Sequence, residues 1–84
     1  MKVPITRRRL AILTAIHDQG ETRASGICAA TDLGPGYVYP VLDLFQRAGW
    51  IGRRPDPARP SVTLYRLTDR GQLGAGLAPK DTHA

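Results

Sequence analysis

Three prolines within six residues, in the segment PDPARP at 55–60, constrain the fold of this chain more than any other feature. Proline lacks a backbone N–H and fixes φ, so such a segment cannot continue a helix or the interior of a sheet. On either side lie stretches typical of strands, WIGRR at 50–54 and SVTLYRL at 61–67, the second rich in β-branched and aromatic residues. The pattern predicts a two-stranded hairpin with a stiff tip.

A first helix is predicted at 7–18. Thr6 is suited to cap its N-terminus, and Gly20 follows where a helix commonly ends. Leu10, Leu13 and Ile16 recur at the spacing of one helical face, which we expect to be buried. Basic residues ahead of an apolar run also occur in signal peptides, but acidic residues stand here in place of a small-residue cleavage site. We therefore interpret the segment as part of the fold.

A weaker helical pattern covers 23–31. Thr22 is placed to cap this second helix, and its apolar stripe contains Ala24 and Cys28 besides Ile27. Gly26 lowers helix stability by about 1 kcal/mol relative to alanine, so tertiary packing must hold the segment. The small side chains predict close contact with a neighbouring helix.

Pro40 stands inside a third helical pattern, at 35–48, although a proline there removes a backbone donor and crowds the carbonyl four residues earlier. That carbonyl belongs to Gly36, and glycine tolerates local distortion. Gly34 and Pro35 suit the start of the helix. We expect Pro40 to kink the helix or to loosen its first turn.

Three helices followed by a two-stranded hairpin have the layout of a winged helix-turn-helix, an α+β fold that is mainly α. A short C-terminal helix can start after Thr68, although three glycines in GQLGAGL at 71–77 weaken it. A length of 84 residues suffices for one domain, which we place at 1–77, with 78–84 as a flexible tail. In this fold the third helix presents its N-terminal half to a DNA major groove.

The third helix and the segment after the hairpin also carry a family resemblance. The runs PGYVYPVLDLFQRAGWI and YRLTDRG resemble the N-terminal winged-helix domain of the PadR family of bacterial transcriptional regulators. The resemblance covers 5–71, and a tyrosine–proline pair inside a helix makes it fairly specific. The residues that match are Gly36, Val38, Tyr39, Pro40, Leu42, Phe45, Gly49, Ile51, Tyr65, Leu67, Thr68 and Gly71. The resemblance implies a DNA-binding regulator.

On a helical wheel, the third helix separates an apolar side from a polar side, and we expect the polar side to meet DNA. Tyr39 can reach a phosphate or a base edge, and Asp43 can accept from cytosine or pair with Arg47 on the surface. Tyr37 either contacts a phosphate or extends an apolar flank. The DNA-binding candidates on this helix are Gly36, Tyr37, Tyr39, Pro40, Asp43 and Arg47.

Arg53, Arg54 and Arg59 surround the tip of the predicted hairpin. They are placed to neutralise phosphates or to enter a minor groove, the alternative being a solvated charged loop. The arginines at 7–9 oppose the dipole of the first helix, a cost that an external anion would offset. A net charge of +5 agrees with a polyanionic partner, and we predict double-stranded DNA.

Catalysis and metal binding find no support in the sequence. Ser25 lacks a recognisable base, and Cys28, the only cysteine, forms no ligand cluster with His17 or His83. We predict a protein that is not an enzyme and has neither a cofactor nor a small-molecule ligand. Because no apolar run reaches the roughly 18 residues of a membrane span, we expect a soluble protein. A single cysteine can form no internal disulfide and fits a reducing cytoplasm, so we predict a cytoplasmic, nucleoid-associated protein.

PadR-family proteins usually continue into a C-terminal helix or domain that forms the dimer, whereas about a dozen residues follow Gly71 here. The resemblance therefore implies a minimal form without that domain, of the kind that phages and mobile elements encode. Leu44, Leu73 and Leu77 are candidates for a protein interface, which would serve a non-standard homodimer. Two functions stay open: a transcriptional regulator, predicted to be a repressor, and an adaptor that binds a polymerase or recombination protein.

Overall fold

The computed structural model describes residues 3–77. The helices are α1 (Arg7–Gln19), α2 (Ala24–Thr31), α3 (Pro35–Arg47) and α4 (Asp69–Ala75), and the strands are β1 (Thr22–Arg23), β2 (Ile51–Pro55) and β3 (Thr63–Leu67). The fold is mainly helical α+β with the order of a winged helix-turn-helix, as predicted. The tail predicted at 78–84 lies outside the described residues.

Helix α1 begins and ends at the residues that its caps predict. The Thr6 hydroxyl accepts a hydrogen bond from the Arg9 N–H at 3.2 Å, and Gly20 follows the helix with a φ of 77°. The assignment of Leu10 to the buried face is wrong, because this side chain is 36% exposed. The buried stripe is centred on Ile12 and Ile16, four residues apart, and this places Leu10 at its edge.

Thr22 does not cap α2, contrary to the prediction. It forms the short strand β1 with Arg23, pairs with Tyr65 of β3, and donates its hydroxyl to the Arg23 carbonyl at 3.3 Å. Helix α2 starts one residue later than predicted and has no side-chain cap. A β-carbon on Gly26 would overlap the Thr22 hydroxyl, so this glycine packs closely against a buried threonine of β1 and not only against a neighbouring helix.

A short turn connects α2 to α3. Asp32 ends α2 in the left-handed conformation with a φ of 60°, and the Thr31 hydroxyl donates to the Ile27 carbonyl at 2.7 Å. Helix α3 follows from Pro35, with Gly34 as its N-cap residue. The two helices form the helix-turn-helix unit, and Val38, Val41, Leu42 and Phe45 are the buried residues of α3.

The hairpin predicted from the prolines is present and gains a third strand. The sheet is antiparallel in the order β1–β3–β2, and Arg53 of β2 lies opposite Tyr65 of β3. Strand β1 was not anticipated because two residues show no periodicity. Its pairing joins the hairpin of β2 and β3, which we call the wing, to the segment between α1 and α2.

Trp50 connects α3, β2 and α4. Its ring stacks on Phe45 with centroids 5.6 Å apart and packs against the core. Thr68 caps α4 by accepting from the Gly71 N–H at 3.1 Å, so the glycine-rich segment is helical. Gly71 lies directly against the Trp50 backbone, where a β-carbon would overlap the Trp50 carbonyl oxygen. The largest fully buried side chains are Phe45, Ile12, Leu13, Ile16, Ile27, Leu42 and Val38.

Candidate nucleic-acid interface

One side of α3 is exposed along its whole length, and it carries polar side chains in its C-terminal half. Tyr39 is 54% exposed, and Gly36, Pro40, Asp43 and Arg47 also lie on the surface. The opposite side of the helix is buried in the core. The side predicted to face DNA is therefore accessible to a partner.

Pro40 does not interrupt α3, which runs from Pro35 to Arg47. The ring of Pro40 is exposed, and the amide that it lacks would have met the Gly36 carbonyl, which lies on the same exposed side. Nothing within 4 Å would meet a β-carbon on Gly36, so the first turn of α3 is open to solvent. Pro40 and Gly36 together leave this end of the exposed side without bulky polar groups.

Asp43 and Arg47 form the surface ion pair expected from their spacing, with 3.1 Å between Arg47 Nε and an Asp43 carboxylate oxygen. Their side chains remain 58% and 75% exposed, respectively. Both can therefore exchange this contact for one with a base edge or a phosphate.

A groove separates the exposed side of α3 from the wing. The groove consists of two hollows of about 180 and 320 Å³, and Tyr39 and Tyr65 line both of them. Burial raises the pKa of Tyr65, nearby Tyr39 raises it further, and Arg53 opposes the shift. At neutral pH Tyr65 keeps its proton and can donate a hydrogen bond. The smaller hollow is lined by Tyr39, Leu42, Asp43, Gln46, Arg53 and Tyr65.

The three arginines predicted at the wing differ in their contacts. Arg54 donates from Nε and Nη2 to the two carboxylate oxygens of Glu21, each at 2.7 Å, which lowers the pKa of Glu21. Arg53 lies on the other face of β2, beside the groove, and Arg59 is exposed at the tip. Arg53 and Arg59 make no ion pair within residues 3–77. They are therefore available to an anionic partner, whereas Arg54 is already paired.

The tip of the wing is held by hydrogen bonds as well as by its prolines. The Asp56 N–H donates to the Val62 carbonyl at 2.8 Å, and the Ala58 N–H donates to the Asp56 side chain at 2.9 Å. Asp56 also lies 3.8 Å from the Arg23 guanidinium. These contacts make a compact tip that presents Arg59.

The remaining candidate residues differ in burial and in contacts. Tyr37 is half-buried against the core, and the Arg8 guanidinium lies 5.7 Å from its ring centroid, so this residue extends the apolar flank of α3. Leu44, a candidate for a protein interface, packs partly buried against the core. Leu73 is 83% exposed, and Leu77 is half-buried.

Sequence reasoning missed two contacts near this surface. Arg8 was among the arginines considered for an external anion, but its contact with Tyr37 was not predicted, and Glu21 was not identified as the partner of Arg54, because both partners are distant in the chain. Gln46 lines the smaller hollow on the polar side of α3, the side on which the helical pattern places it.

Within the described part of the chain, no group of three or more His, Cys, Asp or Glu is placed to hold a metal ion. Over the same residues, no helix has the length and apolar character needed to cross a membrane.

Comparisons with known proteins place the chain by its fold. No family model matches its sequence, and no curated protein matches it. It resembles the structure of a MarR mutant from E. coli complexed with operator DNA, with a TM-score of 0.79 and 22% identity over 86% of this chain and 51% of that one. BpsR from Bordetella bronchiseptica gives a TM-score of 0.82 and 24% identity over 86% and 51% of the two chains.

The MarR family transcription regulator SP03579 is similar with a TM-score of 0.80 and 30% identity, over 86% of this chain and 48% of its own. This chain thus spans about half the length of the solved structures that it matches. The agreement shows a winged helix-turn-helix fold of the type found in MarR-family transcriptional regulators, which are not enzymes. Two of these neighbours are described as MarR or as a MarR family regulator and none as PadR, so the PadR resemblance rests on the sequence motifs alone.

Proposed function

We propose that this protein is a DNA-binding transcriptional regulator that places α3 in a major groove and its wing on the flanking backbone. The observation that carries the proposal is the single surface on which the exposed side of α3 and Arg53 border one groove. A helix fits the major groove of B-DNA, and arginine beside it neutralises phosphates. The MarR mutant, which has a similar fold and is complexed with operator DNA, supports duplex DNA as the partner.

The proposal assigns different tasks to the two parts of this surface. Asp43 and Arg47 exchange their mutual contact for base edges, since a carboxylate accepts from cytosine and a guanidinium donates to guanine. Tyr39, at the edge of α3 nearest the wing, and Arg53 and Arg59 contact the phosphates. The first group gives sequence preference and the second gives affinity.

We further propose that the protein is a repressor of a PadR-like type that acts on the chromosome in the cytoplasm. A protein that fills a major groove excludes others from the same site. MarR, one of the proteins that this chain resembles, is described as a multiple antibiotic resistance repressor. The tyrosine–proline pair of α3, Tyr39 and Pro40, supports the PadR-like type.

Selection from a library of random duplexes tests the regulator. The wild-type protein is expected to enrich one family of sequences, and Asp43→Asn is expected to reduce discrimination at one base pair of that family by about tenfold. Arg66→Ala is the control, because Arg66 lies over Gly52 on the face of the sheet away from α3 and should leave the preference unchanged. Failure to enrich any sequence over the input would refute sequence-selective regulation.

A second candidate function is an adaptor that binds a protein of the polymerase or recombination machinery. Leu73 favours it, because this large apolar side chain is 83% exposed beside Trp50 and Gly74. Sedimentation of the wild-type protein and of Leu73→Glu at micromolar concentration tests whether the same patch serves a homodimer. A wild-type dimer that Leu73→Glu dissociates would support self-association through this patch. If the wild-type protein and Leu73→Glu are both monomers, a homodimer is excluded at that concentration.

A further inference from the structure

Arg8 connects the first turn of α1 to the N-terminal half of α3. Its guanidinium lies 5.7 Å from the centroid of the Tyr37 ring. A cation over an aromatic face is held in orientation but keeps its N–H donors free. Within residues 3–77, the Arg8 side chain makes no hydrogen bond and no ion pair. Its donors are therefore available to an external acceptor.

The two arginines beside Arg8 are arranged differently. Arg9 donates from Nη1 to the Pro4 carbonyl at 2.9 Å and is half-buried. Arg7 is exposed and has no ring contact. Of the three arginines that open α1, Arg8 alone is fixed against α3 by an aromatic ring.

The position of Tyr37 on α3 determines which edge of the helix Arg8 lies beside. Successive helical residues are about 100° apart, so Tyr37 and Tyr39 lie on opposite edges of the exposed side. The Tyr39 edge borders the groove that contains Arg53. The Tyr37 edge carries Arg8. The exposed side of α3 is thus bracketed by an arginine on each edge.

We propose that Arg8, positioned by Tyr37, binds a phosphate of the DNA strand opposite the strand that Arg53 contacts. This inference rests on the proposed function. A helix in a major groove about 12 Å wide lies between two phosphate backbones, one along each edge of the helix. Arg8 donates to a phosphate oxygen, and Tyr37 acts as a positioning residue through its ring. An anion at this place also offsets the unfavourable position of the arginine in the first turn of α1.

Fluorescence anisotropy with a labelled duplex, repeated over a series of salt concentrations, tests the inference. Arg8→Ala is expected to reduce the slope of log K against log salt by about 0.9, the value for one phosphate contact. Arg7→Ala, which removes the neighbouring charge without the ring contact, is the matched control and should change the slope less. Equal slopes for the two variants would overturn the proposal.

The positioning role of Tyr37 has its own variants. Tyr37→Phe keeps the ring and should bind as the wild-type protein does, whereas Tyr37→Leu should weaken binding only when Arg8 is present. A Tyr37→Leu effect that is equally large in the Arg8→Ala background would contradict the positioning role. Suppose that the wild-type protein binds duplex DNA, and that Arg53→Ala lowers the slope of log K against log salt whereas Arg8→Ala does not. The inference then fails and the proposed function stands. If the wild-type protein does not bind duplex DNA at all, both fail.

Discussion

The Arg54 guanidinium donates two hydrogen bonds of 2.7 Å to the carboxylate of Glu21, a residue 33 positions earlier in the chain. This contact joins β2 to the residue before β1 and fixes the base of the wing. It also divides two adjacent arginines between different tasks, since Arg54 serves the fold while Arg53, on the other face of the strand, borders α3. Part of the positive charge of the wing therefore stabilises the fold.

The Glu21–Arg54 pair predicts a pH dependence of stability. The hydrogen bond from Arg54 lowers the pKa of Glu21 below its ordinary value of 4.5. A group with a lowered pKa in the folded state stabilises that state above its unfolded pKa, and the contribution is lost as pH falls through the folded value. Glu21→Gln is expected to lower the Tm slightly at pH 7 and to leave it unchanged near pH 2, because the pair is exposed and solvent-screened.

Thermal unfolding by circular dichroism at the two pH values makes this measurement. Asp32→Asn is the control, because Asp32 is an exposed carboxylate that makes no ion pair in the described part of the chain and its left-handed position accepts asparagine. A Tm difference for Glu21→Gln that persists at pH 2 would show that the contact is not electrostatic.

Gly71 is predicted to be required for the packing of α4. Because a β-carbon at this position would overlap the Trp50 carbonyl oxygen, which is backbone and cannot rotate away, Gly71→Ala is expected to destabilise the fold by about 1–3 kcal/mol. Gly36→Ala is the matched variant, since its β-carbon meets nothing within 4 Å and alanine favours helix. Urea unfolding should show equal or greater stability for Gly36→Ala. Similar losses for both variants would contradict this explanation.

Thr68 is predicted to stabilise the junction between the wing and α4 through its hydroxyl. This group accepts from the Gly71 N–H at 3.1 Å and donates to the Gly49 carbonyl at 2.6 Å. Thr68→Ala should therefore reduce the free energy of unfolding by about 1–2 kcal/mol, and Thr68→Ser, which keeps both hydrogen bonds, should lose much less. Equal losses in urea unfolding would assign the effect to the methyl group instead.

Local signals in the sequence predicted much of this fold. Thr6, Gly20 and Thr68 mark helix ends because a cap acts within one turn of its helix. The prolines of the wing tip predicted the hairpin for the same reason, since their effect on the backbone is local. Features of this kind can be read without knowing the rest of the structure.

Contacts between distant segments could not be predicted in this way. The pairing of Thr22 with Tyr65 turns a predicted cap into a strand, and the carboxylate of Glu21 removes Arg54 from the free wing charges. The partial burial of Leu44 could not be predicted, because a helical wheel shows which residues share a flank but not how far the core covers that flank. The exposed side of α3 could be predicted from the sequence. The contacts of the arginines near it could be predicted only in part.

The salt dependence of duplex binding tests the central claim most directly. We predict that log K falls linearly with log salt for the wild-type protein, that Arg53→Ala reduces the slope by about 0.9, and that Arg66→Ala, on the far face of the sheet, leaves it unchanged. Absence of measurable duplex binding at low salt, or an equal change for Arg53→Ala and Arg66→Ala, would contradict a DNA-binding surface formed by α3 and the wing.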